Sequence, residues 1–146
     1  MIKISLATPA DIDAIHRLEV GSFPAPWRRD FFASELAGSG RLCLVARRDE
    51  TLVGYLFSMW FFDEMHVNKI AVATDERRQG IARELMARCE QFAREHRIKT
   101  ISLEVRKSNS GAQEFYKRLS FESQYVRPRY YPDGESAVVM MKVISG

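Results

Sequence analysis

Cysteine and histidine are scarce: Cys43 and Cys89, with His16, His66 and His96, are the whole supply in 146 residues. Their spacings match neither a zinc site nor a disulfide framework, so no metal is expected. Cys43 falls in an apolar strand and Cys89 on the apolar stripe of a helix, where each reads as a small buried hydrophobe. Long apolar runs are missing too. Nothing approaches the roughly 18 residues needed to cross a bilayer, and the N-terminus lacks the pattern of a signal peptide, so the expectation is a cytoplasmic protein with no membrane partner. There is no Gly-Lys-Ser/Thr of a P-loop and no trio of spaced glycines for a dinucleotide turn. Neither sign of charge dominates: 22 Lys and Arg stand against 19 Asp and Glu, a net charge of +3. The slight excess favours acidic partners. Basic residues are nevertheless mixed with acidic ones and no recognition module is visible, so direct sequence-specific nucleic-acid binding is not expected. The rest is 46% hydrophobic and 28% charged, the balance of a globular chain. One domain over residues 1–146 is expected, without linker or repeat.

The most informative run joins an apolar strand, Ile70, Ala71 and Val72, to an amphipathic helix through Arg77, Arg78, Gln79, Gly80, Ile81 and Ala82. At a helix start several backbone N–H groups lack intrahelical acceptors and the macrodipole presents partial positive charge, while Gly80 has no Cβ to obstruct a phosphate. Ile81, Leu85, Cys89 and Phe92 fall on one stripe, so helix follows at once. The alternative is an ordinary charged turn solvating a strand-helix corner.

The hydrophobic pattern predicts strands over residues 2–7, 42–47, 52–62, 65–73, 100–105, 122–129 and 137–143. Helices are predicted after the Thr8-Pro9 cap, around Phe31, Phe32 and Leu36, from Ile81 to near His96, and around residues 112–119. The order β-α-α-β-β-β-α-β-α-β-β describes an α/β (α+β) fold, a mixed sheet of about seven strands with helices on both faces, in which ligands sit where neighbouring strands part.

Within the strand at 100–105, Ile101, Leu103 and Val105 share one face and leave Ser102 and Glu104 on the other. A carboxylate in the middle of a covered strand needs a partner, a wet cleft or a raised pKa. The alternatives are a cleft carboxylate and an exposed Glu facing Arg106 or a lysine. Ser110 is a candidate cap for the next helix, on which Asn109, Ala112 and Tyr116 share one face. Tyr116 either lines a groove or packs in the core with Phe115.

Arg77, Gly80 and Ala82 occupy the defining positions of Arg/Gln-x-x-Gly-x-Gly/Ala, and the chain thereby resembles the GCN5-related N-acetyltransferases. The likeness extends through Phe23-Pro24-Ala25-Pro26-Trp27, Asp63-Glu64, Ile70-Ala71-Val72, Leu103-Glu104-Val105-Arg106-Lys107-Ser108-Asn109, Tyr116 and Tyr130-Tyr131-Pro132-Asp133-Gly134. These are similar to the branch that acetylates protein N-termini, including alanine-starting ribosomal proteins. The resemblance implies a mostly antiparallel sheet with a splayed strand pair at an acetyl-coenzyme A site. It implies coenzyme contacts from residues 70–72, from the amides of residues 77–82 and from Asn109. Glu104 would be the general base and Tyr116 the general acid. Trp27, Tyr130 and Tyr131 would bind the acceptor peptide. Two departures stand out. Asn68-Lys69 replaces Leu-Asn ahead of Ile-Ala-Val, where Lys69 would lower the pKa of a nearby carboxylate or repel a protonated amine. Ser120 replaces a helix-terminal glycine, at a cost in energy but not in chemistry.

The implied reaction is direct transfer of acetyl from acetyl-coenzyme A to a protein N-terminal amine, since neither cysteine lies at a motif position. Competing readings are acetylation of lysine or small-molecule amines, and an acetyl-coenzyme A-binding module without turnover.

Overall fold

The central strands are buried on both faces, in unbroken runs such as residues 42–46 and 53–58, and the two apolar faces dictate two helical layers. The computed structural model describes residues 1–144; Ser145 and Gly146, the end of the expected domain, lie outside them. In chain order the elements are β1 (Ile2–Leu6), α1 (Ile12–Ser22), α2 (Arg29–Ala37), β2 (Arg41–Arg48), β3 (Thr51–Phe61), β4 (Glu64–Val72), α3 (Ile81–Glu95), β5 (Thr100–Arg106), α4 (Ser110–Arg118), β6 (Glu122–Arg127) and β7 (Ala137–Val143). The predicted order therefore holds, with boundaries moved by a residue or two at most ends.

One seven-stranded sheet runs β1-β2-β3-β4-β5-β7-β6. Every neighbouring pair is antiparallel except β4 with β5. On one face Leu44, Leu56, Met65, Ile101, Leu103 and Met140 pack with Leu85, Met86 and Cys89 of α3, and Tyr116 of α4 joins them. On the other, Cys43, Val45, Tyr55, Phe57 and Ala71 pack with Ile12 and Ile15 of α1 and Phe32 of α2. Helices thus cover both faces. Both cysteines are buried, and burial pushes each thiol up to about 12.

Three local expectations are corrected or refined. The cap of α4 is Asn109 rather than Ser110, its Oδ1 accepting from Ala112 N–H at 3.0 Å. Tyr116, 7% exposed, is the buried aromatic of that helix, whereas Phe115 is only partly buried. The turn after α4 does place a non-glycine in the left-handed region, Ser120 with φ 73°, a strain of about 1–2 kcal/mol.

Candidate active site

The site forms where the sheet comes apart. β4 pairs with β5 only through Glu64↔Thr100, Met65↔Ile101 and His66↔Ser102, although both strands run on beyond. Past His66 the backbone of β4 keeps β3 on one side and leaves its other side open. Ala73 N–H donates to Val53 O on the β3 side. By alternation Ala71 points the same way, so Ile70 and Val72 present their N–H groups to the gap. The expected splayed pair is this opening.

At its end stands the loop that leads into α3. Gly80, the residue preceding α3, has φ 80°, and a Cβ built there would meet nothing within 4 Å. Conformation, not crowding, is what asks for glycine here. Arg78 is also left-handed, with φ 65°. The first-turn amides of Ile81 and Ala82 have no acceptor within the helix. Arg77, exposed like its neighbours, folds back on the preceding turn instead, its N–H donating to Thr74 O at 3.4 Å and its Nε to Val72 O at 3.4 Å. The open donors are therefore those after Arg77, flanked by the exposed Arg78 and Gln79. A diphosphate fits this cradle of amides and cations.

Glu104 lies on the face of β5 away from α3, as the two-residue period predicts, and its side chain is 9% exposed. The exposed alternative fails: Arg106 pairs with Asp133 and Glu135 instead. Glu104 receives His66 Nε2 at 2.8 and 3.0 Å and the Tyr130 hydroxyl at 3.2 Å, with Arg127 3.7 Å away. Burial pushes the Glu104 carboxyl up, but the His66 hydrogen bond and charge, then Tyr130 and Arg127, more than offset it and hold it below the usual range. For His66, burial favours the neutral ring. The Glu104 hydrogen bond and charge, with Asn68, outweigh it and raise the pKa. His66 Nδ1 sits 2.6 Å from Asn68 Oδ1, so both ring nitrogens face oxygens and the imidazolium is satisfied on both sides.

Tyr116 packs edge-on against Phe115 at 5.0 Å and Phe121 at 5.7 Å. Burial, with Tyr131 and Cys89 adding, pushes its phenol up and keeps the proton on, the state a proton donor needs. Tyr130 and Tyr131 meet edge-on at 5.0 Å in the β6–β7 loop. That loop is pinned to the end of β5: Arg106 stacks on Tyr131 at 4.1 Å while binding Asp133 and Glu135, and Ser108 N–H donates to Glu135 at 2.8 Å. Trp27, opposite, lines an open apolar recess of about 530 Å³ with Pro26, Arg28, Asp30 and Phe31. Asn109 stands at the start of α4, its side-chain oxygen taken by the cap.

Sequence reasoning missed His66, Arg127 and Glu19, the last a buried carboxylate under Trp27. The first had a signal. Glu64, His66 and Asn68 alternate as polar residues on a strand that ends in Ile70-Ala71-Val72, so His66 faces the same way as Glu104 once β4 is known to adjoin β5. The departure at Lys69 is also resolved: the carboxylate it meets is Glu19, at 3.0 Å, and not Glu104.

Residues 12–121 match the profile of the acetyltransferase (GNAT) family. The chain belongs to that family. This GNAT chain is 33% identical over 137 residues to a Bacillus subtilis protein named as a putative ribosomal protein bS18-alanine N-acetyltransferase, covering 92% of this chain and 91% of that one. It is 33% identical over 145 residues to an N-alpha-acetyltransferase of Saccharolobus solfataricus, covering 90% and 87%. The crystal structure of the Escherichia coli ribosomal-protein-S18-alanine N-acetyltransferase superimposes with a TM-score of 0.93 at 31% identity, covering 100% of this chain and 96% of the other. The chain is accordingly an N-acetyltransferase, of a family that uses acetyl-coenzyme A, and the gap with its amide cradle fits that co-substrate.

Proposed function

We propose that this chain acetylates the α-amine at the N-terminus of a protein, an alanine-starting ribosomal protein being the leading candidate. The observation that carries the reading is the Glu104–His66 pair at the mouth of the β4–β5 gap, roofed by Tyr130. An amine attacks only when neutral. An α-amine, with pKa about 7.7–8.0, needs far less help than lysine at about 10.4. A carboxylate held low is a weak base by itself, but beside an imidazole whose pKa is raised it forms a pair that takes up and gives back one proton together. Glu104 and His66 together take the proton of the incoming amine, through a water where the distance requires it.

Acetyl-coenzyme A supplies the activated thioester. Ile70 and Val72 offer N–H groups to its carbonyl oxygen, Arg78, Gln79 and the amides of Gly80, Ile81 and Ala82 hold its diphosphate, with Arg77 bracing the loop, and the Asn109 amide borders the same groove. Tyr116 gives a proton or hydrogen bond to the departing sulfur. Both buried cysteines keep their protons, so transfer is direct. Trp27, Tyr130 and Tyr131 flank the acceptor.

The test is thiol release with peptides that differ only in their first residue, beside N-terminally blocked peptides containing lysine. Free alanine-starting peptides should turn over and blocked ones should not. Equal rates for the two would overturn the assignment to N-termini.

A further inference from the structure

Resting on that reading, one buried charge pair bears on which terminus the site accepts. In the β3–β4 ladder Phe57 faces Lys69 but Ser58 faces Val67, so Asn68 is an extra residue, a β-bulge. Without it Lys69 would follow Met65 and Val67 into the core beneath α3. With it, Lys69 turns to the opposite face and meets α1. Its ammonium lies 3.0 Å from Glu19, whose side chain has no exposure, and its own side chain is 15% exposed. Glu19 is fully engaged: it also accepts the Trp27 N–H at 2.9 Å and the Tyr55 hydroxyl. The same ammonium sits 3.9 Å from the Phe23 ring centre and 4.9 Å from that of Trp27.

The loop from α1 to α2 therefore hangs on Glu19 from below and rests its two aromatic rings on Lys69. A buried ion pair commonly stabilises no more than a well-packed apolar filler would, so its distinctive consequence is to occupy and polarise this space. Lys69 is three residues along β4 from His66, and the rings it supports belong to the loop that borders the acceptor. Lys69, which meets α1 through Glu19, and Glu104 both lie on the face of the sheet away from α3. We infer that Lys69, held by Glu19, sets the depth of the first-residue pocket and restricts the acceptor to termini with small, uncharged first side chains.

The experiment compares kcat and KM for otherwise identical Ala-, Met- and Asp-starting peptides in the wild type, Lys69→Ala and Glu19→Gln, with thermal melting of each. In Lys69→Ala the Met-over-Ala ratio of kcat/KM should rise about tenfold or more, the size of effect that opened apolar pocket space gives, through peptide KM and with acetyl-coenzyme A KM unchanged. Glu19→Gln, nearly isosteric, frees the ammonium, and Asp-starting peptides should gain about fivefold or more relative to Ala. If Lys69→Ala does not fold, Glu19→Gln decides alone. Ratios between peptides that stay put, including a uniform loss for all of them, overturn the inference. Failure of the N-terminal reading looks different: the wild type would then acetylate blocked peptides.

Discussion

Glu104 is a carboxylate with three partners and a pKa held down, which separates two questions that a single base would merge. The carboxylate is ionised throughout the neutral range, so on the proposed mechanism activity should rise with pH as His66, raised above 6.5, and the amine itself lose their protons. Glu104→Gln keeps the shape and removes the charge on which the proposed proton-accepting pair depends. Its kcat should fall by about a hundredfold or more while acetyl-coenzyme A KM holds, read by steady-state thiol release. His66→Gln should lower kcat less and move the limb of the pH profile to that of the amine alone. Glu104 was legible because a charge on the covered face of an alternating strand is costly and demands a reason. His66 was legible only as a polar position on its strand, since its meaning depends on β4 lying beside β5, a pairing between residues 38 positions apart that no local pattern encodes.

At the scale of elements, local chemistry wrote most of the fold: apolar alternation marks β5, an almost unbroken apolar run marks β7, and the stripe through Ile81, Leu85 and Cys89 marks α3. What stayed hidden are departures from periodicity. The extra residue at Asn68 leaves no mark in composition, and the cap of α4 shifted by one because Asn109 and Ser110 have equal capping chemistry. Gly80 is where an element boundary and the proposed coenzyme cradle coincide. With φ 80° and open space around it, Gly80→Val meets no clash but forces a β-branched residue into the left-handed region. Expected are a stability loss of about 1–2 kcal/mol by urea unfolding and a rise of about tenfold in acetyl-coenzyme A KM as the amides turn away, a change of about 1.4 kcal/mol in binding. Unchanged affinity would put the diphosphate elsewhere.

For the whole molecule, the opening proposed to admit the coenzyme is also a seam. The four strands before it and the three after it share only three ladder pairs, and beyond them the His66–Glu104 contact crosses from one half of the sheet to the other. Its contribution to stability has a pH window set by both groups. Glu104 has its pKa lowered from 4.5, so its share is present above that value and is lost as pH falls through the lower folded one. His66 has its pKa raised from 6.5, so its share is full below that value and is lost as pH rises through the higher folded one. The seam is therefore held most firmly between 4.5 and 6.5. Unfolding free energies of the wild type and His66→Gln, measured in urea at about pH 5.5 and about pH 9, should differ more at the lower pH. A gap that stays constant, or widens at about pH 9, would mean that α3 and the shared core carry the seam and the ion pair serves the chemistry alone.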